Sequence, residues 1–213
     1  MENFTNQQGS AVIDAIIQVI QKNTAYLSEI DGAIGDGDHG VNMNKGVSLA
    51  KERLADKPVD LTTGLKVVSD VMMNEIGGSI GPLYGTFFSQ MFRVVRNKKI
   101  IDAEVFNDML TRALASIKDI GGAKVGDKTL LDTLEPAVAA FKAQLKEEKD
   151  FFSALTAMKV AAEKGKDSTV DLVAKVGRSS RLGERSRGVL DAGATSCWLI
   201  LSAMADSIMS LAK

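Results

Sequence analysis

A chain of 213 residues, 45% apolar and 25% charged, has globular composition and is long enough to bury one substantial core, so a single domain over 1–213 is expected. Its formal net charge of -1 removes the bulk attraction on which nucleic-acid and anionic-membrane binders depend, leaving proteins and small molecules as the expected partners. The single cysteine, Cys197, sits in the apolar run Cys197-Trp-Leu-Ile-Leu201 and is expected to be a buried thiol, which excludes an internal disulfide and sulfur ligation of a metal.

Neither a charged leader followed by an apolar core nor an apolar run near ~18 residues is evident, so the expected location is cytoplasmic. Val12, Ile13, Ile16, Ile17 and Ile20 follow the i, i+3, i+4, i+7 spacing of an amphipathic helix, predicted to continue toward Ile30. Further helices are predicted over 41–54, 61–76, 82–97, 102–120, 128–147, 150–174 and 192–212, giving eight in all. Alternating apolar and polar runs are scarce, so the fold class is all-α. Pro82 suits a first helical turn, whereas Pro136 should either kink the sixth helix or mark its true start. Glycines cluster in the segments 32–40, 77–85, 121–126 and 177–193. These would form one site if they met at one end of a bundle.

The first cluster holds Asp31, Asp36 and Asp38 among small residues between two amphipathic helices. Carboxylates this close repel one another unless a cation lies among them, and hard oxygen ligands on a flexible loop suit magnesium or calcium; an ordinary solvated turn is the alternative. An EF-hand counted from Asp36 fails, with Val41 where glycine is required and Val47 where glutamate is. Gly35, Gly37 and Gly40 fit G-x-G-x-x-G, but a helix rather than a strand leads in. Gly121-Gly-Ala-Lys-Val-Gly126-Asp-Lys128-Thr129 resembles a phosphate-binding loop with an aspartate inserted ahead of the lysine, which breaks its register. Glycine-rich backbone opening onto a helix start still offers free amides to a phosphate.

Lys175, Arg178, Arg181, Arg185 and Arg187 face a single acid, Glu184, in the fourth cluster. By itself this could be a solvated basic loop. Beside an acidic cluster it supplies the other half of a metal-polyphosphate site, since guanidinium forks bind phosphate oxygens and carboxylates hold the cations. His39, the only histidine, could in principle carry a phosphoryl group or act as a base. Contacting a nucleotide or ordering the loop is the preferred role, because phosphoryl transfer needs mainly positioning and charge neutralisation.

Four segments in order, Gly35-Asp-Gly-Asp-His-Gly-Val-Asn-Met-Asn-Lys-Gly46, Gly77-Gly-Ser-Ile-Gly-Pro-Leu-Tyr-Gly-Thr-Phe-Phe88, Gly126-Asp-Lys-Thr-Leu-Leu-Asp132, and Gly183-Glu-Arg-Ser-Arg-Gly188 with Asp191-Ala-Gly-Ala-Thr-Ser196, resemble the subunit L family of dihydroxyacetone kinases. The resemblance spans almost the whole chain and implies an antiparallel barrel of eight helices with a nucleotide at one end. It implies that Asp31, Asp36 and Asp38 hold two magnesium ions that clamp the diphosphate of ADP. It also places His39, Gly40, Val41, Asn42, Ser79, Ile80, Gly121, Leu130, Arg178, Asp191, Ala192 and Gly193 against the nucleotide, with Arg178 near the transferred phosphate as the catalytic residue. Some of these contacts would be through backbone. Many relatives have proline where this chain has Ala192, a departure that bears on the stiffness of the turn.

By the same resemblance, resident ADP would be recharged to ATP by a phosphohistidine phosphotransferase subunit, and the phosphate passed to dihydroxyacetone on a separate kinase subunit. No second domain to bind the triose is evident. His39 follows the Asp-Gly-Asp triplet where fused ATP-dependent kinases usually carry threonine or cysteine, which favours the phosphotransferase-dependent branch. A subunit using exchangeable ATP, a subunit acting on another small keto sugar or polyol, and a regulatory nucleotide-binding module are the alternatives.

Overall fold

Residues 2–55, 58–148 and 150–213 are described by the structure, a computed structural model. Helix α1 (Ser10–Lys22) buries Val12, Ile13, Ile16, Ile17 and Ile20, the stripe read from the sequence. The predicted continuation is broken at Asn23. Its side-chain amide donates to the Val19 carbonyl at 2.7 Å, and Thr24 donates its hydroxyl to Gln21 at 3.0 Å. Short polar side chains that satisfy the last carbonyls compete with the next helical turn, so the rod stops and restarts as α2 (Thr24–Ile34).

The other helices are α3 (His39–Leu54), α4 (Leu61–Glu75), α5 (Ile80–Val95), α6 (Ala103–Gly121), α7 (Leu131–Glu148), α8 (Phe151–Ser168) and α9 (Ala192–Leu211). Asp60, Asp102, Asp150 and Asp191 each accept a backbone N–H three residues on, fixing the starts of α4, α6, α8 and α9. Such a cap contributes about 1 kcal/mol. Gly122, at φ 59°, ends α6 in the left-handed conformation. The predicted helix 150–174 stops earlier, at Ser168, and passes into a 3-10 turn, Thr169–Asp171; a second 3-10 segment covers Arg178–Ser186.

Consecutive helices pack side by side from α3 to α9, and α1 packs against both α9 and α3. With α2 prolonging α1, the chain closes an all-α ring of eight antiparallel members around an apolar interior. Phe106, Phe141 and Phe151 meet there with ring centroids 5.4 to 6.1 Å apart. Pro136 lies inside α7 rather than at its start. Lacking an N–H, it cannot bond the Asp132 carbonyl four residues back. Helix α8 approaches that carbonyl closely enough that a Cβ on Gly165 would lie 2.2 Å from it.

Two short strands were not anticipated from the sequence. β1 (Asn3–Thr5) and β2 (Ile100–Asp102) pair antiparallel, with buried Phe4 opposite buried Ile101. Three residues are too few to show an alternating pattern. By length and mean hydropathy of 1.3, Ala192–Leu211 could cross a membrane, although no long unbroken apolar run marks it in the sequence. Within the bundle 56% of its apolar window is buried, as a core helix requires.

The up-and-down order collects the connections at two ends. The segments 34–39, 76–80, 121–131 and 169–192 lie at one of them, and the glycine clusters fall in these connections and the adjoining turns of the flanking helices.

Candidate functional site

The acidic cluster forms where α2 ends. The Gly35 N–H returns to the Asp31 carbonyl at 2.5 Å, and a Cβ on Gly35 would lie 2.5 Å from an Asp31 carboxylate oxygen. Gly37 adopts φ 77°, open to glycine at little cost. This turn folds Asp36 and Asp38 back on Asp31, so that one carboxylate oxygen from each lies within 4.8 Å of the others. Asp31 is half-buried, and Asp36 and Asp38 are exposed. Arg178, from the basic segment, forms an ion pair with Asp36. The acidic and basic segments, joined by residues 142 positions apart in the chain (178 − 36), therefore meet across one opening.

They border a cavity of ≈ 490 Å³. Its polar lining includes Asp31, Asp36, Asp38, Asn42, Ser79 and Arg178. Its apolar lining includes Pro82, Leu83, Ile117, Ile120, Ala123 and Leu130. His39, Ile80, Gly121 and the turn Asp191, Ala192, Gly193 complete the wall among the residues expected at the site. A cavity with both clustered charge and apolar lining can hold a molecule that has a charged tail and a flat apolar head.

Gly40 and Val41 are not brought to this cavity. A Cβ on Gly40 would lie 2.0 Å from the Thr24 carbonyl oxygen and 2.8 Å from the Ser28 nitrogen, so this glycine lets α3 rest directly on α2. Val41 points to solvent and is 59% exposed.

The His39 ring is buried, and its Nε2 shares a hydrogen bond of 2.8 Å with the Ser196 hydroxyl. Ser196 in turn meets the Tyr84 hydroxyl at 2.6 Å. Burial lowers the His39 pKa to about 4, opposed by the negative charge of Asp31. The imidazole is neutral at pH 7 and engaged through Nε2, an arrangement that orders the loop and is unsuited to carrying a phosphoryl group. Burial also raises Asp191 to about 7, while the hydrogen bond from the Ala194 N–H pulls it back down. Tyr84 is held above its usual range, chiefly by burial.

Sequence reasoning assigned no role to Tyr84, Ser196 or Lys128, although all three lie in the quoted motifs. Polar residues spaced along apolar helices were the available signal for the first two. Lys128 resolves the interrupted phosphate-loop pattern: it is buried, and its ammonium donates to the carbonyls of Thr169 and Leu172 at 2.6 and 3.3 Å and to that of Val189. Its three protons are committed to protein carbonyls.

Residues 33–206 match the DAK2 domain family. The ADP-binding subunit DhaL of a phosphoenolpyruvate-dependent dihydroxyacetone kinase of Listeria innocua is 39% identical over 192 residues, covering 90% of this chain and 91% of that one. The corresponding Escherichia coli subunit is 34% identical over 190 residues, covering 88% and 90%. Among solved structures, the dihydroxyacetone kinase of C. freundii in complex with AMP-PNP and Mg2+ superimposes with a TM-score of 0.66 at 23% identity. It is matched over 92% of this chain and 33% of its own length, and at that identity the likeness is one of fold.

Proposed function

The chain belongs to the DAK2 domain family, and we propose that it is the ADP-binding subunit of a phosphoenolpyruvate-dependent dihydroxyacetone kinase. The observation that carries this reading is one cavity lined by three convergent carboxylates, an arginine paired with one of them, and a set of apolar side chains. Asp31, Asp36 and Asp38 fit magnesium: all three offer hard oxygens, close enough together to be shared between two ions. Held there with Mg2+, ADP would serve as a coenzyme that takes a phosphoryl group from a phosphohistidine protein and yields it to dihydroxyacetone on a partner subunit.

The chain's own contribution is positioning and charge. Asp31 is fixed by the end of α2, and Asp36 and Asp38 by the Gly35 and Gly37 turn, so the backbone itself draws the three carboxylates together. Arg178 supplies a guanidinium fork on the phosphate side, where it would offset charge on the group in transit as its pairing with Asp36 gives way. Pro82, Leu83, Ile120 and Leu130 give the base an apolar slot. Ser79 and Asn42 would offer polar contacts, with Ile80, Gly121 and the 191–193 turn supplying backbone. His39, neutral and tied to Ser196, keeps the aspartate loop in register with α9.

Purified protein should retain ADP through size exclusion and lose it to a magnesium chelator. Protein that emerges nucleotide-free and gains no thermal stability from Mg-ADP would overturn the reading. Reconstitution with candidate partner subunits, comparing phosphoenolpyruvate with ATP as sole donor over a panel of trioses and tetroses, tests donor and acceptor. Rapid turnover with free ATP alone contradicts a coenzyme role.

A further inference from the structure

Lys128 is 2% exposed and is the one non-glycine residue with positive φ, 63°, among the described residues. A side chain in that conformation and an ammonium out of water are both unfavourable, and each persists only where the surroundings hold it. Asp132 fixes the turn, accepting the N–H groups of Gly126 and Thr129 at 2.5 and 2.7 Å. The Lys128 ammonium reaches Thr169 and Leu172 on one side and Val189 on the other. Those carbonyls bracket the segment that brings Gly177, Arg178 and Ser179 to the cavity, and none of the three belongs to the cavity wall.

Apart from the Arg178–Asp36 ion pair and packing of 178–186 on α2, the bracketed segment is held largely by itself. Ser186 accepts the Ala174 N–H and donates to the Gly183 carbonyl, Arg187 pairs with Glu184 and bonds the Asp171 carbonyl, and the Gly188 N–H bonds Val170. Its ties to the α6–α7 connection are the Lys128 ammonium and the contact of Lys175 with Asp127. Lys175 is exposed, so Lys128 is the buried member of the pair.

Resting on the function proposed above, we propose that Lys128 is a positioning residue for phosphoryl transfer, whose ammonium pins both ends of the 169–189 segment and so sets Arg178 opposite the aspartates. Lys128 lines the cavity, but its ammonium is committed to the three carbonyls. Its effect runs through Arg178.

The five basic residues from Lys175 to Arg187 make trypsin a reporter on this segment that needs no nucleotide. Lys128→Met, with its circular dichroism melt recorded alongside, should be cut there at least about tenfold faster than the parent while the helical bundle survives, because cleavage follows the population of the open segment. Lys128→Gly, which accepts the left-handed turn without strain, should be cut as fast, assigning the effect to the ammonium. Parent-like cleavage in both variants, or in Lys128→Gly alone, overturns the proposal.

Phosphoryl transfer by the reconstituted kinase provides the second readout. A residue acting through Arg178 has nothing left to contribute once Arg178 is alanine, so Lys128→Gly with Arg178→Ala should be no slower than Arg178→Ala alone. Losses that multiply in the double variant contradict the assignment. Failure of the parent to bind Mg-ADP would sink the functional reading, while the trypsin comparison would still decide whether Lys128 holds the segment.

Discussion

Replacing Gly40 with alanine would set a methyl carbon 2.0 Å from the Thr24 carbonyl oxygen, 2.6 Å from the Ser28 hydroxyl and 2.8 Å from the Ser28 nitrogen. A comfortable carbon–oxygen contact is about 3.3 Å, so α3 would have to lift from α2 by more than ~1 Å. Two of the three obstacles are backbone, which cannot rotate away. Overpacking of this kind costs up to about 3 kcal/mol, and the better helix propensity of alanine returns about 1, leaving a net loss of about 2 kcal/mol. For a domain of this size that is a fall in Tm of roughly 4–8 °C. The displaced turn also carries Asp38 and His39, so the stabilisation by Mg-ADP should shrink as well. Thermal melts with and without Mg-ADP measure both effects. Gly32→Ala is the control: its nearest neighbour atom is 3.8 Å away, and a helical alanine there should raise Tm slightly. A Gly40→Ala protein that melts within about 1 °C of the parent would refute the close-approach argument.

Asp36→Asn should leave the metal-free melt within a few degrees of the parent and abolish the rise on adding Mg-ADP, a rise worth about 2.7 kcal/mol at a hundredfold excess over Kd; a retained rise removes Asp36 from the metal set. Arg178→Ala should lower the rate of phosphoryl transfer by about 10³ with almost no change in Tm, since its side chain is 63% exposed; stopped-flow or coupled assays of the reconstituted kinase check the rate. His39, with a folded-state pKa of about 4 against an ordinary 6.5, should be a source of acid lability. Unfolded chains take up its proton as the pH falls below ~6.5, so the stability its burial leaves intact at neutral pH is lost toward ~4, by up to about 3 kcal/mol. Asp191, raised from 3.8 to about 7, acts in the opposite sense over that window, because the folded state keeps its proton. His39→Gln should therefore lose less stability than the parent between pH 7 and 4.5 in metal-free melts, and parallel curves would count against this account.

The helical stretches were legible because burial on one face of a 3.6-residue period leaves a repeating mark, as at Val12 to Ile20. The break at Asn23 was not, since its cause is two short side chains bonding carbonyls of the preceding turn rather than any lapse in apolar spacing: Leu27 and Ile30 continue the stripe. Asp31, Asp36, Asp38 and Arg178 were legible as charge of opposite sign on glycine-rich segments, and the fold brings them together. Gly40 shows where pattern reading stops. A glycine required by helix contact and one required by a ligand look alike in a sequence, and only the position of Thr24 separates them. Lys128 was invisible for a related reason: its acceptors are backbone carbonyls 41 to 61 residues away, which carry no residue signature.

The hydrogen bond between His39 and Ser196 joins residues 157 apart. Contacts of such high order close only after most of the chain is organised, because the entropy of the intervening loop must be lost first. The aspartate turn can form from a dozen neighbouring residues, whereas the Asp191–Gly193 part of the cavity lining arrives with the last helix. A chain shortened before α9 would keep all three carboxylates and lack the Asp191–Gly193 turn and the serine that anchors the histidine. On the proposed function, nucleotide retention would double as an assay of completed folding, blind to every intermediate that has its three carboxylates but not yet its ring.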